Sequence, residues 1–265
     1  MKIKQVLSAL ERFAPLPLQE SWDNAGLQLG LTEAEVSGAL LCLDVNEQIV
    51  DEAIAKGCNL IVSHHPLLFR GLKQISGADY VQRCVIKAIK HDIVIVSMHT
   101  NMDNALGGVN FKIAERLGAT VLNGSAATVL SGSAAETEKI PLVLAELPTP
   151  MDARAFIELV KKQFSVECAQ CNALLERPIS KVAICGGAGD FLLSDAIGEG
   201  ADAFITGEMH YHQYFGYEQQ IQICVIGHYQ SEQFTAEIFR DIIQKDCPDV
   251  KTCIAETITN PIVYI

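Results

Sequence analysis

The chain has 265 residues, 49% of them hydrophobic and 20% charged, a balance that excludes intrinsic disorder and leaves enough apolar surface for two lobes. Its formal net charge of -12 argues against nonspecific nucleic-acid binding, which needs clustered cations, and suits cations drawn into a carboxylate-bearing cleft. No stretch is apolar enough to span a bilayer and Glu11 and Arg12 interrupt the N-terminus, so neither a membrane segment nor a secretory leader is expected, and the cytoplasm is the expected location.

In chain order, Ile3, Val6, Leu10 and Phe13 recur at helical spacing, and Pro15 and Pro17 stop that helix. Ser21 to Leu27 is a turn-rich segment carrying the only tryptophan, Trp22, expected to pin the loop as an aromatic anchor. From Ala39 a regular order begins: a strand to Leu43, a helix over 47–56 ended by Gly57, and a strand over 59–63 that runs into His64-His65-Pro66. A helix near 80–90 and an apolar run from Ile93 to Met98 follow, then a short helix with Val109, Ile113 and Leu117 on one side, closed by Gly118. Alternation of this kind favours a largely parallel sheet with helical cover. Residues 123–139 are rich in Gly, Ser and Ala and read as a connector; 140–147 read as a strand and 151–163 as a helix.

The pattern then returns. A shift of 143 positions carries Leu40-Leu41-Cys42 onto Ala183-Ile184-Cys185 and Leu60-Ile61-Val62-Ser63 onto Ala203-Phe204-Ile205-Thr206. A shift of 129 carries Val94-Ile95-Val96 onto Ile223-Cys224-Val225, His99 onto His228 and Asp103 onto Glu232. The expected fold is α/β, with two related three-layer lobes of largely parallel or mixed sheets under helical cover. The lobes are expected at 1–125 and 126–265, with segment 226–232 contributing to a shared metal site. One larger sheet with simple βα alternation is the alternative.

Two segments share one form, an apolar strand, a histidine and an acid four positions on: His99 to Asp103 and His228 to Glu232. In an extended chain such positions lie about 13 Å apart, so a turn or helix entry is needed to bring both groups to one cavity. Ser231 suits the cap of a helix through Phe234, Ile238 and Ile242, which would hold Glu232 in its first turn. His64 and His65 would face opposite sides of a straight strand, so they too need a bend, and Pro66 biases His65 toward extended geometry. Nitrogen and oxygen donors without thiolate suit zinc, iron, manganese or cobalt, and their number exceeds the needs of one ion. Core hydrogen bonding by these histidines is the structural alternative.

The segments Trp22-Asp23-Asn24-Ala25-Gly26-Leu27, Ser63-His64-His65-Pro66, His99-Thr100-Asn101-Met102-Asp103 and Gly227-His228-Tyr229-Gln230-Ser231-Glu232 together resemble the dinuclear-metal family related to the NIF-three-like proteins. Many bacterial members of that family carry the name GTP cyclohydrolase 1 type 2. The resemblance implies that His64, His65, Asp103, His228 and Glu232 hold two divalent metal ions (zinc, iron or manganese, the identity being open) and that His99 lies beside them as a supporting group or proton carrier. It marks Glu208 and His212 as pocket-wall groups, His212 and His99 being the candidate proton shuttles. It also implies a ring-shaped homohexamer and a small-molecule substrate, here a nucleotide whose guanine imidazole ring is opened with release of formate. A hydrolase or phosphoesterase acting on another substrate, and a metal-binding scaffold or regulatory protein without turnover, are the competing readings; nucleic acid is disfavoured as a partner by the acidic balance.

Two further features remain. Gly186-Gly187-Ala188-Gly189-Asp190 follows a strand and is either a tight turn or an anion cradle, though it lacks the P-loop pattern. The nine cysteines read as reduced thiols, with Cys42, Cys185 and Cys224 inside apolar runs; Cys168 and Cys171 form a C-x-x-C pair with no second pair after it, a zinc knuckle or a redox role being the minor alternative.

Overall fold

The computed structural model describes residues 1–123, 139–263 and 265, so the expected connector lies outside the described residues except for its ends at 123 and 139. In chain order the elements are helix α1 (Ile3–Phe13), strands β1 (Gly26–Leu29) and β2 (Ala39–Cys42), α2 (Glu47–Lys56), β3 (Leu60–Ser63), α3 (Tyr80–Lys90), β4 (Val94–Ser97), α4 (Thr100–Asp103), α5 (Val109–Arg116) and β5 (Thr120–Val121). There follow β6 (Val143–Met151), α6 (Ala153–Phe164), β7 (Gln170–Cys171), β8 (Ile179–Cys185), α7 (Leu193–Gly198), β9 (Ala203–Thr206), β10 (Gln222–Val225), α8 (His228–Glu232), α9 (Thr235–Asp246) and β11 (Thr252–Ile254). The fold is α/β with mixed sheets flanked by helices. None of the described helices is long and apolar enough to cross a membrane.

Local chemistry explains the boundaries. The side chain of Asn46 accepts the Ile49 N–H at the start of α2, a cap of about 1 kcal/mol, and Gly57 closes the helix at φ 68°, where a Cβ would be strained. Asp79 and Asp152 cap α3 and α6 in the same way. Helix α1 buries Ile3, Val6, Ala9 and Leu10 on one face, as its spacing predicts.

Two compact units emerge, Met1–Ala105 with Phe234–Pro261 and Leu106–Gln233 with Ile262–Ile265. The first holds a five-stranded sheet in the order β1-β4-β3-β2-β11, with β2, β3, β4 and β11 parallel and β1 antiparallel to β4. The second holds a six-stranded sheet in the order β5-β6-β8-β9-β10-β7, in which β8, β9 and β10 are parallel and β7 runs antiparallel to β10. Each unit thus has three parallel strands with an antiparallel neighbour beside the last, which is the correspondence of β2, β3 and β4 with β8, β9 and β10 that the repeat predicts. Every residue of β2, β3, β4, β9 and β10 is buried, so these strands read as continuous apolar runs rather than alternating ones. Between β9 and β10 a short 3-10 turn at Tyr211–Tyr214 stands where the first unit has α3.

The units divide at other points than the expected 125/126. Strand β11 extends the sheet beside β2, and α9 packs on α1, so residues 234–261 belong with the first unit. The physical reason is that the edge of β2 presents unpaired backbone groups and α9 carries an apolar face of Ile238, Phe239, Ile242 and Ile243 that needs cover.

Candidate metal centre

In the first unit, the parallel register aligns Cys42 with Ser63 and Ser63 with Ser97, so the chain segments that leave β2, β3 and β4 emerge side by side. There the chain bends. The Leu43 carbonyl accepts from the backbone N–H of both His64, at 3.1 Å, and His65, at 2.9 Å. The Ser63 hydroxyl donates to the His65 carbonyl at 2.8 Å. This bend supplies what a straight strand would deny: the His64 and His65 rings lie with centroids 4.9 Å apart. The His99 ring lies 5.3 Å from that of His64 and 5.4 Å from that of His65. One ligand nitrogen from each of the three falls within 4.8 Å of the others. Asp103 joins them because His99 stands just before α4 and Asp103 closes that single turn, with Oδ1 3.6 Å from His64 Nε2.

All three rings are held by the same device. Nδ1 of His64 lies 2.9 Å from the Met98 carbonyl, Nδ1 of His65 lies 2.7 Å from Asp44 Oδ1, and Nδ1 of His99 lies 2.7 Å from Asp23 Oδ1. A carbonyl or carboxylate oxygen only accepts, so each Nδ1 carries the proton, and in the neutral ring the lone pair resides on Nε2. This is the arrangement that orients metal-ligating histidines. Burial pushes the Asp23 carboxyl upward, but hydrogen bonds from His99 and Thr100 outweigh it and bring the pKa down to about 2. Asp44 likewise stays below the usual carboxylate range, burial being overcome by hydrogen bonds from His65 and from Thr259, whose hydroxyl donates at 2.6 Å.

The second unit repeats the device. His228 opens α8 and Glu232 closes it, one helical turn apart, with Nε2 and Oε2 separated by 3.1 Å. Nδ1 of His228 lies 2.9 Å from Glu208 Oε1, which again leaves Nε2 as the lone-pair nitrogen of the neutral ring. Two electron-rich atoms so close are stable only with a proton or a cation between them. Glu232 is 3% exposed. The hydroxyl of Ser231 accepts the Gly187 N–H at 3.0 Å and donates to the His228 carbonyl at 2.8 Å. It therefore caps no longer helix, as the sequence had suggested; α9 begins separately at Thr235, and Glu232 sits at the end of a short turn rather than in the first turn of a long one.

The residue types and their orientation fit a hard or borderline divalent cation: imidazole Nε2 and carboxylate oxygens, with the opposite ring nitrogens already committed. Within the first unit His64, His65, His99 and Asp103 are brought together; within the second, His228, Glu232 and Glu208 are. His99, expected only beside the ligands, shares the nitrogen cluster with His64 and His65. His212 is exposed and packs edge-on against Tyr211 at 5.2 Å.

One expectation changes and one open alternative closes. Trp22 is no anchor, being 60% exposed; the loop is held instead by Asp23 and by Asn24, whose side chain donates to the Leu68 carbonyl at 2.7 Å. The glycine-rich segment is a tight turn rather than an anion cradle, because the amides of its glycines are spent on side chains: Gly186 N–H on Asn110, Gly187 N–H on Ser231 and Gly189 N–H on Thr206. The Asp190 carboxylate, which binds His210 Nδ1 at 2.7 Å, would further repel an anion. Sequence reasoning also missed Asp44. Its signal was an acid just past a buried parallel strand, the same placement that marks Asp103 and Glu232.

Beside His99 a groove of about 610 Å³ is lined by Trp22, Asp23, Asn24, Leu68 and Phe69, among others. Trp22 and Phe69 meet edge-to-face at 5.9 Å, and their rings lie 6.1 Å and 6.3 Å from that of His99.

Comparison with known proteins agrees with this architecture. A family model described as Duf34/NIF3 (NGG1p interacting factor 3) matches residues 1–261. The chain is 32% identical over 267 residues to a GTP cyclohydrolase 1 type 2 homolog of Clostridium perfringens, with 100% of both chains covered. It is 30% identical over 266 residues to the protein of the same name in Campylobacter jejuni, again with 100% of both covered. A Staphylococcus aureus protein of known structure matches with a TM-score of 0.87 at 27% identity, over 100% of this chain and 99% of that one. A Bacillus cereus protein related to NIF3 shares the fold with a TM-score of 0.86 at 24% identity, over 100% and 99% of the two chains. With the model spanning nearly its whole length, this chain belongs to the Duf34/NIF3 family.

Proposed function

We propose that the protein is a metal-dependent hydrolase in which His64, His65 and Asp103 of the first unit, with His228 and Glu232 of the second, hold two divalent ions, zinc, iron or manganese. The observation that carries this reading is the uniform fixing of the imidazoles: Nδ1 of His64, His65, His99 and His228 is bound to an oxygen acceptor in every case. That the ligands of both units serve one centre rests on the sequence resemblance. When bound, such ions would activate water as a nucleophile and offset the oxygen charge that develops on attack.

The chain's own groups do the rest. Asp23 and Asp44 keep the rings of His99 and His65 in place. His99, protonated at Nδ1, can accept or pass on a proton at Nε2. Glu208 orients His228, and His212 is the second candidate proton shuttle. The groove beside His99 has the size and the aromatic wall of a small-molecule pocket and takes the flat ring of a heterocycle. For GTP the reaction would be addition of one water at C8 of the base with opening of the imidazole ring to a formamide, then hydrolysis of that formamide by a second water to release formate, in keeping with the name of the Clostridium perfringens relative. A homohexamer in the cytoplasm completes this reading.

One observation favours a second substrate class. Among the described residues the groove lining carries no lysine or arginine, so it offers a ring its surface but no cationic side chain to a triphosphate. A hydrolase of a less highly charged heterocycle is the second reading.

The test is to load the purified protein with zinc, manganese or iron(II), measure bound metal by elemental analysis, and assay formate release from GTP beside a panel of heterocyclic amides and phosphoesters. Metal bound by the wild type and lost in Glu232→Ala, together with formate from GTP, is the expected result. Metal binding with turnover of another substrate overturns GTP alone, and failure to bind metal overturns the whole reading.

A further inference from the structure

We propose that Cys171 and Cys224 form a peroxide-sensitive thiol pair that closes reversibly to a disulfide, a modification site separate from the metal ligands. The two residues are direct partners in the antiparallel ladder between β7 and β10. Cα atoms so paired lie about 4.5–5.5 Å apart, inside the range of about 4.4–6.8 Å that a disulfide spans. Closure therefore needs side-chain rotation and no rearrangement of the sheet.

The environment divides the roles. Strand β7 is the two-residue edge of its sheet, so Cys171 is partly exposed and reachable by a small oxidant, whereas Cys224 is buried in the adjoining strand. The Cys224 thiol hydrogen-bonds to Cys171, which with the nearby Lys161 ammonium brings Cys171 below the ordinary thiol pKa against the pull of burial. Cys224 is pushed well above it by the same hydrogen bond and by burial, so it remains a thiol able to donate. Two other buried thiols lack this help: Cys84 is raised to about 11 and Cys42 well above the ordinary thiol value, both by burial first. Tyr214, whose hydroxyl donates to Gln170 Oε1 at 3.4 Å, lies near both sulfurs, and burial together with their charge pushes its own pKa up to about 12.

The chemistry balances with hydrogen peroxide as oxidant. The Cys171 thiolate attacks one peroxide oxygen, the O–O bond breaks, and sulfenic acid and hydroxide form. The Cys224 sulfur then displaces hydroxide from the sulfenic acid, giving the disulfide and water. Two thiols are oxidised and one peroxide is reduced to two waters. A cross-strand disulfide at a sheet edge belongs to the accessible, reducible class, so a dithiol returns it to the starting state.

The test uses the full-length protein, reduced, freed of reductant and treated with one equivalent of hydrogen peroxide, then alkylated and digested without reduction. The expected main product is a peptide pair linked through Cys171 and Cys224 that dithiothreitol separates. Cys224→Ser should stop at a sulfenic acid on Cys171 that dimedone traps. In the untreated wild type, Cys171 should react with iodoacetamide roughly tenfold faster than the exposed Cys168 at pH 7. A Cys168–Cys171 link, a Cys58–Cys253 link as the main product, or oxidation spread over the cysteines without a Cys171–Cys224 link would each overturn the proposal. The wild-type rate and linkage decide the matter even where the serine variant fails to fold.

Discussion

Gly187 and Glu232 compete for one space: a Cβ built on residue 187 would collide with Glu232 Oε1 and come within 3.3 Å of its Cδ, and the backbone there already has φ 61°. The glycine-rich turn thus makes room for a buried carboxylate rather than gripping an anion. In Gly187→Ala the carboxylate must move away from His228, and the left-handed backbone adds strain of about 1 kcal/mol or more. Bound metal should fall by at least tenfold while circular dichroism stays native-like; unaltered metal content would show that Glu232 is no ligand.

Asp44→Asn keeps the size of the side chain at His65 but removes the charge that fixes its Nδ1 proton and accepts from Thr259. Metal affinity should drop by roughly 10–100-fold, the usual cost of losing such a partner. Competition with a chelator of known affinity measures it. The matching change at Asp23, which holds His99 rather than a ligand of the resemblance set, should lower turnover more than metal content.

Glu52 accepts the Glu256 N–H at 2.8 Å and the Thr257 N–H at 3.0 Å, so it ties down the chain beyond β11. Burial raises its pKa, but these hydrogen bonds and Lys56 bring it down to about 2. A depressed carboxyl pKa stabilises the fold above the unfolded value near 4.5, and that stability is lost as the pH falls toward 2. Glu52→Gln should therefore be less stable than wild type at neutral pH, with the difference shrinking between about pH 4.5 and 2. Denaturant midpoints measured across that window check the sign, and a difference that grows on acidification would contradict it.

Phe204 is fully buried in β9 among Ala183, Ala196 and Ile223. Phe204→Ala should cost about 3–5 kcal/mol, mostly through the cavity left where small neighbours cannot close in. Urea denaturation followed by a probe in the second unit reads this.

Much of the architecture was legible in order of appearance. The buried parallel strands are written as unbroken apolar runs, such as Leu60 to Val62 and Ala203 to Ile205, because both sheet faces are covered. Helix α1 follows from its apolar spacing and α2 from the Gly57 that ends it, while α3 and α6 lie over the stretches expected to be helical. The internal repeat pointed to three parallel strands in each unit. Trp22 misled because a large aromatic normally anchors a loop by burial, whereas here it stands in a groove wall.

From its own residues the chain determines which segments become strand or helix and which side chains end just past them, since both depend on contacts within a few positions. That is enough to mark His64, His65, His99, Asp103, His228 and Glu232. Only the tertiary structure decides what stands behind those residues, because the partners are remote in sequence: Asp44 behind His65, Asp23 behind His99 and Gly187 beneath Glu232. The return of residues 234–261 to the first unit and the facing of Cys171 by Cys224 have the same origin. Backbone edges and apolar faces are satisfied by whatever segment reaches them, and no local pattern encodes which one does.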